Sequence, residues 1–187
     1  MALDVLATLH RADYLSAVLA HEAFHYHSIR MLPCSLWRGD PEERLLTLLI
    51  TSIQQEGIAD HVACLFMREE ELREMFEKHV ERGDEYVRGL DRSLSKVYEG
   101  HGVDVLVEFM RGVPFGGHVV GYYMAKAIAE ALGQEELALT ARNPFRFLKK
   151  YSEAAEALGL TPLSETSLKL LEAYEVKHFK PSHHSPG

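Results

Sequence analysis

His21-Glu22-Ala23-Phe24-His25 is an HExxH pattern. On a helix, side chains four residues apart lie on one face, one turn above the other. The imidazoles of His21 and His25 can therefore address a single metal ion. Glu22 is rotated about 100° from His21 and flanks the remaining coordination position. Two neutral imidazoles and one carboxylate hold zinc and leave a position open for water. The metal makes that water acidic and polarises a carbonyl, while Glu22 takes the water's proton and hands it to a leaving amine. Zn2+ is the cofactor this chemistry implies, and a peptide or small amide-like molecule is the substrate.

A third ligand is needed. Glu56, in Gln55-Glu56-Gly57-Ile58-Ala59-Asp60, is the best candidate. It follows an apolar run and shares its segment with Ile53 and Val62, so it is expected to face inward. A buried carboxylate is costly unless it is paired or bound to metal. Asp60 lies one turn on and is placed to accept a hydrogen bond from the far nitrogen of a ligand histidine, fixing its tautomer. Asp60 or His61 as the third ligand remains the alternative, as does a solvated Glu56 at the helix edge. A hydrolase of this kind also needs a donor for the tetrahedral oxyanion. His118, Tyr122 and Tyr123 are the candidates, at the start of a helix that follows a glycine-rich loop. His118 and Tyr122 share a face, and Tyr123 points elsewhere.

The elements that must carry these residues read almost entirely as helix. The first spans about 11–30. Asp40 as N-cap, Pro41 at the first helical position and Glu43 three residues past the cap start a second, to about 67. Gly57 costs about 1 kcal/mol inside that helix. It suggests a close approach of another backbone or of a ligand. A charged helix over about 69–81 and another over 84–98 follow. Residues 103–110 are ambiguous between a short helix and a strand, and 112–117 form a loop by composition. Further helices are expected over 118–132 (ending at Gly133), 144–158 (after Asn143-Pro144) and 164–178 (capped by Ser164). The fold class is mainly α, a single compact helical domain over 1–180 with little or no sheet, and 181–187 is expected to be a disordered tail.

On these residues the chain resembles the gluzincins, zinc peptidases with HExxH on one helix and a glutamate ligand on a later one. Carried over by motif, the resemblance implies His21, His25 and Glu56 as ligands, Glu22 as general base and zincin-like active-site helices. The thermolysin-like branch has Asn-Glu-x-x-x-Asp on its second helix, and here the glutamate and aspartate match while Gln55 stands for the asparagine. The run HEAFHYH…QEGIADHVA…GYYMAKAIAEALG is similar to sparsely characterised families of predicted zinc-dependent peptidases, over much of residues 15–150. In those families the Gly-Tyr-x-Met-Ala stretch lies near the active site, which implies Tyr122 or Tyr123. Two features depart from the gluzincin pattern. Thirty residues separate His25 from Glu56, with Pro33 to Asp40 supplying part of the insertion. Only 20 residues precede His21, which leaves no room upstream for the sheet whose edge strand pairs with substrate.

Size and composition bound the rest. The chain has 187 residues, a hydrophobic fraction of 47% and a formal net charge of -8. One domain with a sizeable core fits this length. The charge disfavours nucleic acid and anionic membranes as partners. No run approaches the length of a membrane span, and no signal peptide is evident. Cys34 and Cys64 lack a CxxC partner, so a reducing, cytoplasmic setting is the expectation. Amphipathic helices leave room for a homodimer.

Among the remaining residues, Trp37 and Phe115 are candidates for a pocket wall or for core. Arg142 and Asn143 are candidates for a substrate contact, with capping the better reading for Asn143. His183 and His184 form a surface metal trap in the tail. Two competing functions are a non-catalytic helical metal-binding protein and a carboxylate-bridged iron or manganese bundle. For the bundle, Glu22-x-x-His25 is one unit, and Glu172-x-x-Glu175-x-x-His178 is the nearest to a second.

Overall fold

The computed structural model describes residues 12–67, 74, 77, 78 and 80–179. Eight α-helices are present among them: α1 (Ala12–Ser28), α2 (Pro41–Phe66), α3 (Gly83–Tyr98), α4 (Asp104–Gly112), α5 (His118–Leu132), α6 (Gln134–Thr140), α7 (Pro144–Leu158) and α8 (Glu165–Phe179). Two short 3-10 turns, Ile29–Met31 and Cys34–Trp37, join α1 to α2. No strand occurs among the described residues, so the domain is all-α. None of these helices is long and apolar enough to cross a membrane.

Helix starts follow their caps. The Asp40 carboxylate accepts the Glu43 N–H at 2.9 Å, with Pro41 at the first position of α2. Asn143 does the same for the Arg146 N–H at 3.0 Å, so it serves as the cap of α7. Ser164 Oγ accepts the Ser167 N–H ahead of α8, and the Asp91 carboxylate accepts the Ser164 N–H at 2.8 Å, tying α8 to α3. Gly159 ends α7 in the left-handed conformation (φ 70°) that glycine adopts most readily.

α2 organises the domain. It packs against α1, α5 and α7 and buries Leu46, Ile50, Ile53 and Ile58. α7 contributes Phe145, Phe147, Leu148 and Tyr151 to the same core, and α3 contributes Val87, Leu90 and Leu94. At the crossing of α2 and α5 the backbones touch. A Cβ on Gly57 would stand 2.1 Å from the Gly121 carbonyl carbon, and one on Gly121 would stand 2.0 Å from the Ile53 carbonyl oxygen. The glycine in mid-helix is thus explained by a second glycine that faces it.

Several expectations are revised here. Residues 104–112 are helical, which settles the ambiguous segment. α6 was not expected: Gly133, at φ 92°, both ends α5 and precedes α6. The charged helix over 69–81 falls mostly outside the described residues, although Glu74, Glu77, Lys78 and Val80 are helical. The tail 181–187 lies outside them altogether. Cys34 is exposed and Cys64 buried.

Candidate metal centre

α1 and α2 run antiparallel, so His21 comes opposite Asp60 and His25 opposite Glu56. His21 Nε2 and His25 Nε2 are 3.0 Å apart. Glu56 Oε2 is 3.1 Å from His25 Nε2 and 3.4 Å from His21 Nε2. In a tetrahedral zinc site with bonds of about 2.0–2.1 Å, neighbouring donor atoms stand about 3.3 Å apart. The three spacings match that edge, and three donors of the right chemistry already face one point. Among the described residues this is the group whose donor atoms lie close enough together to share an ion.

Behind the donors sits Asp60. Its Oδ1 is 3.0 Å from His21 Nδ1, and its Oδ2 accepts a hydrogen bond from His118 Nδ1 at 2.9 Å. One carboxylate therefore holds two imidazoles. With Nδ1–H turned to Asp60, His21 directs the Nε2 lone pair inward, the tautomer a metal ligand requires. His118 belongs to the first turn of α5, and its Nε2 approaches Glu56 Oε2 to 3.3 Å. Its ring lies parallel to that of His21, centroids 6.0 Å apart, at the edge of the cluster and more open to solvent than His21. The Gly57–Gly121 contact is what lets α5 come close enough for this.

Buried amides lock the neighbouring backbone. Ser28, fully buried at the end of α1, donates to Gln55 Oε1; Gln55 Nε2 donates to Gln54 Oε1 at 2.7 Å, and Gln54 Nε2 to the Thr140 carbonyl at 2.8 Å. These bonds tie α1, α2 and α6 together beside Glu56. Gln55, which replaces an asparagine of the thermolysin-like pattern, acts as a link in this network.

Other candidates lie elsewhere. Tyr123 turns away from the cluster: its hydroxyl donates to Asp84 at 3.0 Å, and its ring packs on Gly83 and Tyr151. Tyr122 is buried in a separate apolar cluster with Ala17, Ala63, Cys64, Met67 and Val80. Tyr123 is held away from the metal donors by its bond to Asp84, and on the α5 face that His118 and Tyr122 share it is the His118 ring that reaches Asp60 and Glu56. Glu22 follows His21 on α1 and is half-buried. His61, the alternative ligand, pairs with Gln134 at 3.2 Å on the far side, and Asp60 is engaged behind the donors. The second unit of a di-metal bundle is not assembled. Glu172 and Glu175 both bind Lys149, and His178 Nδ1 lies 2.8 Å from the Ser35 carbonyl.

The electrostatics describe a site that holds protons when metal is absent. Burial opposes charge on His21, but hydrogen bonds to Asp60 and Glu56 outweigh it and push its pKa up to about 9. Burial likewise works against the Glu56 carboxylate, yet His21, His25 and the charge on His118 hold it well below the usual carboxylate range. The Asp60 bond raises His118, against burial. A raised histidine contributes stability that is complete below its ordinary value of 6.5 and lost as pH climbs through about 9. A depressed carboxylate contributes stability above 4.5 that is lost in acid. Metal-free protein is therefore expected to melt at progressively lower temperature from pH 6.5 to 9. Zinc, which displaces the His21 proton, should bind more tightly across the same range, by up to about tenfold per pH unit. Thermal melts with and without metal, plus calorimetric counting of protons released at pH 7, check both signs.

Comparison with known proteins gives one finding. A family model described as "Putative zinc dependent peptidase (DUF5700)" matches residues 1–159, which include every donor of the cluster. No curated protein and no solved structure matches the chain.

Proposed function

Because the chain belongs to the DUF5700 family, we propose that it is a zinc-dependent metallohydrolase acting on peptides, with His21, His25 and Glu56 as zinc ligands and Glu22 as general base. The observation that carries the reading is the convergence of two imidazole nitrogens and one carboxylate oxygen at tetrahedral-edge spacing, backed by Asp60. Bound there, zinc supplies Lewis-acid activation of a water and of the scissile carbonyl.

The chain's own residues do the rest. Glu22, on the turn of α1 that carries both histidines, accepts the proton of the attacking water and delivers it to the departing amine. His118 is the oxyanion donor. Its Nδ1–H is committed to Asp60, and that bond raises its pKa against burial and so favours the doubly protonated ring, whose Nε2–H is a hydrogen-bond donor on the side of the cluster. Asp60 orients His21 and His118 together and so sets ligand and donor relative to each other.

The test is cleavage of a mixed peptide library by zinc-loaded protein, lost on chelation and restored by zinc. In His118→Ala, kcat should fall about 10²-fold with zinc content unchanged. Cleavage that survives chelation would refute the reading. A non-catalytic metal-binding protein is the second reading, and zinc binding without cleavage of any library member would favour it.

A further inference from the structure

We propose that Leu19 and Tyr26, one turn to either side of Glu22 on α1, are specificity-determining residues that cover apolar side chains of a peptide substrate on the two sides of the bond that breaks. The proposal rests on the peptidase reading above and names its substrate class, a peptide with apolar residues flanking the cleaved bond. The first observation is the composition of α1. From Tyr14 to Ser28 its only ionised residue, histidines apart, is Glu22. A helix face turned to water is normally charged. Here Leu19 is 55% and Tyr26 56% exposed, while Ala17 and Ser28, on the other side of α1, are buried against α2.

The second observation is register. At about 100° per residue, Leu15, Val18, Leu19 and Tyr26 all fall within about 60° of Glu22 around the helix. Leu19 stands three positions before Glu22 and Tyr26 four after, the spacing at which Cβ atoms lie about 5–6 Å apart. Helical side chains all lean toward the N-terminus, and a common lean keeps that spacing. The Arg30 guanidinium, 4.1 Å above the Tyr26 ring, comes from the turn beyond Tyr26, away from Glu22, and steadies the ring. The third observation selects the occupant. As general base Glu22 meets the attacking water, so a chain lying along the stripe runs past the reacting group. From Leu19 to Tyr26 is about 10 Å along the helix axis, the length of about three residues of extended peptide. A peptide whose scissile bond lies opposite Glu22 therefore places a residue toward each end of that interval. Leu19 and Tyr26 carry no charge, so apolar side chains gain there by leaving water. A second copy of the chain on the same face would cover Glu22 and shut the site.

The experiment is calorimetric titration of full-length, zinc-loaded protein with two chelating probes. One is N-methylacetohydroxamate. The other is acetyl-leucyl-leucinamide hydroxylated on its central amide nitrogen, which carries the same chelating group with a leucine on each side. Wild type should bind the leucine probe about tenfold more tightly or better. In the double variant Leu19→Gln with Tyr26→Gln, whose new side chains suit an exposed helix, that preference should fall to about twofold, with zinc content and N-methylacetohydroxamate affinity kept. Leu139→Gln, which changes an exposed leucine on α6, is the control and should keep the full preference. An undiminished preference in the double variant overturns the proposal, as does a wild type with no preference. Sedimentation that shows a wild-type dimer dissolved by the double substitution assigns the face to a second copy and overturns it too. Zinc-loaded wild type that binds neither probe places the fault in the peptidase reading, and the proposal falls with it.

Discussion

Glu22→Gln should keep its zinc and lose about 10²- to 10⁴-fold in kcat. Glutamine has the shape of glutamate and cannot accept the proton of the attacking water. Glu22 is not among the three donors that converge, so the metal should stay. It lies half-buried on α1, one position past His21 and three before His25, which rotates it off the ligand face. Steady-state kinetics on a cleaved library peptide, together with metal content of the same sample, separate the two quantities. Loss of metal along with activity would make Glu22 a ligand; full activity would remove it from the chemistry.

The second large effect is structural. Gly57→Ala should lower stability by more than about 3 kcal/mol, because the added methyl meets backbone, which cannot rotate away. The overlap is severe: 2.1 Å to the Gly121 carbonyl carbon and 2.4 Å to its Cα. Relief would require α2 and α5 to separate, and separation withdraws His118 from Asp60. For a domain of this size the melting temperature should drop by roughly 10 °C. Gly112→Ala, at a helical position with nothing within 4 Å, is the control and should be neutral or slightly stabilising. An unperturbed melt for Gly57→Ala would mean that the helices do not cross as described.

Local chemistry made most of the helices legible from sequence. Asp40-Pro41 with Glu43, Asn143-Pro144, Ser164 and Gly159 mark their own boundaries, because caps are interactions between residues a few positions apart. α6 escaped because seven residues are too few for helical periodicity, and Gly133 reads as a terminator when it is also a starting point. The site divides in the same way. The HExxH spacing exposes His21 and His25, and an acidic residue in an apolar stretch exposes Glu56. Asp60 follows as a turn-mate of Glu56, but its double engagement does not. That depends on where α5 crosses α2, which is set by a glycine pair separated by 63 intervening residues. Gly57 alone signals a close approach and cannot name the partner. For the same reason Tyr123 could not be told from His118: the choice lies in which face of α5 meets α2.

The claim on which the rest depends is that His21, His25 and Glu56 hold one zinc ion. Metal content by inductively coupled plasma mass spectrometry tests it most directly, on protein without a purification tag and with the chain ended after Lys180 to remove His183 and His184. Wild type should carry about one zinc per chain after dialysis, and His21→Ala and Glu56→Ala should each carry almost none while remaining folded by circular dichroism. Zinc retained by both folded variants, or wild type that takes up no zinc under any loading condition, would contradict the account.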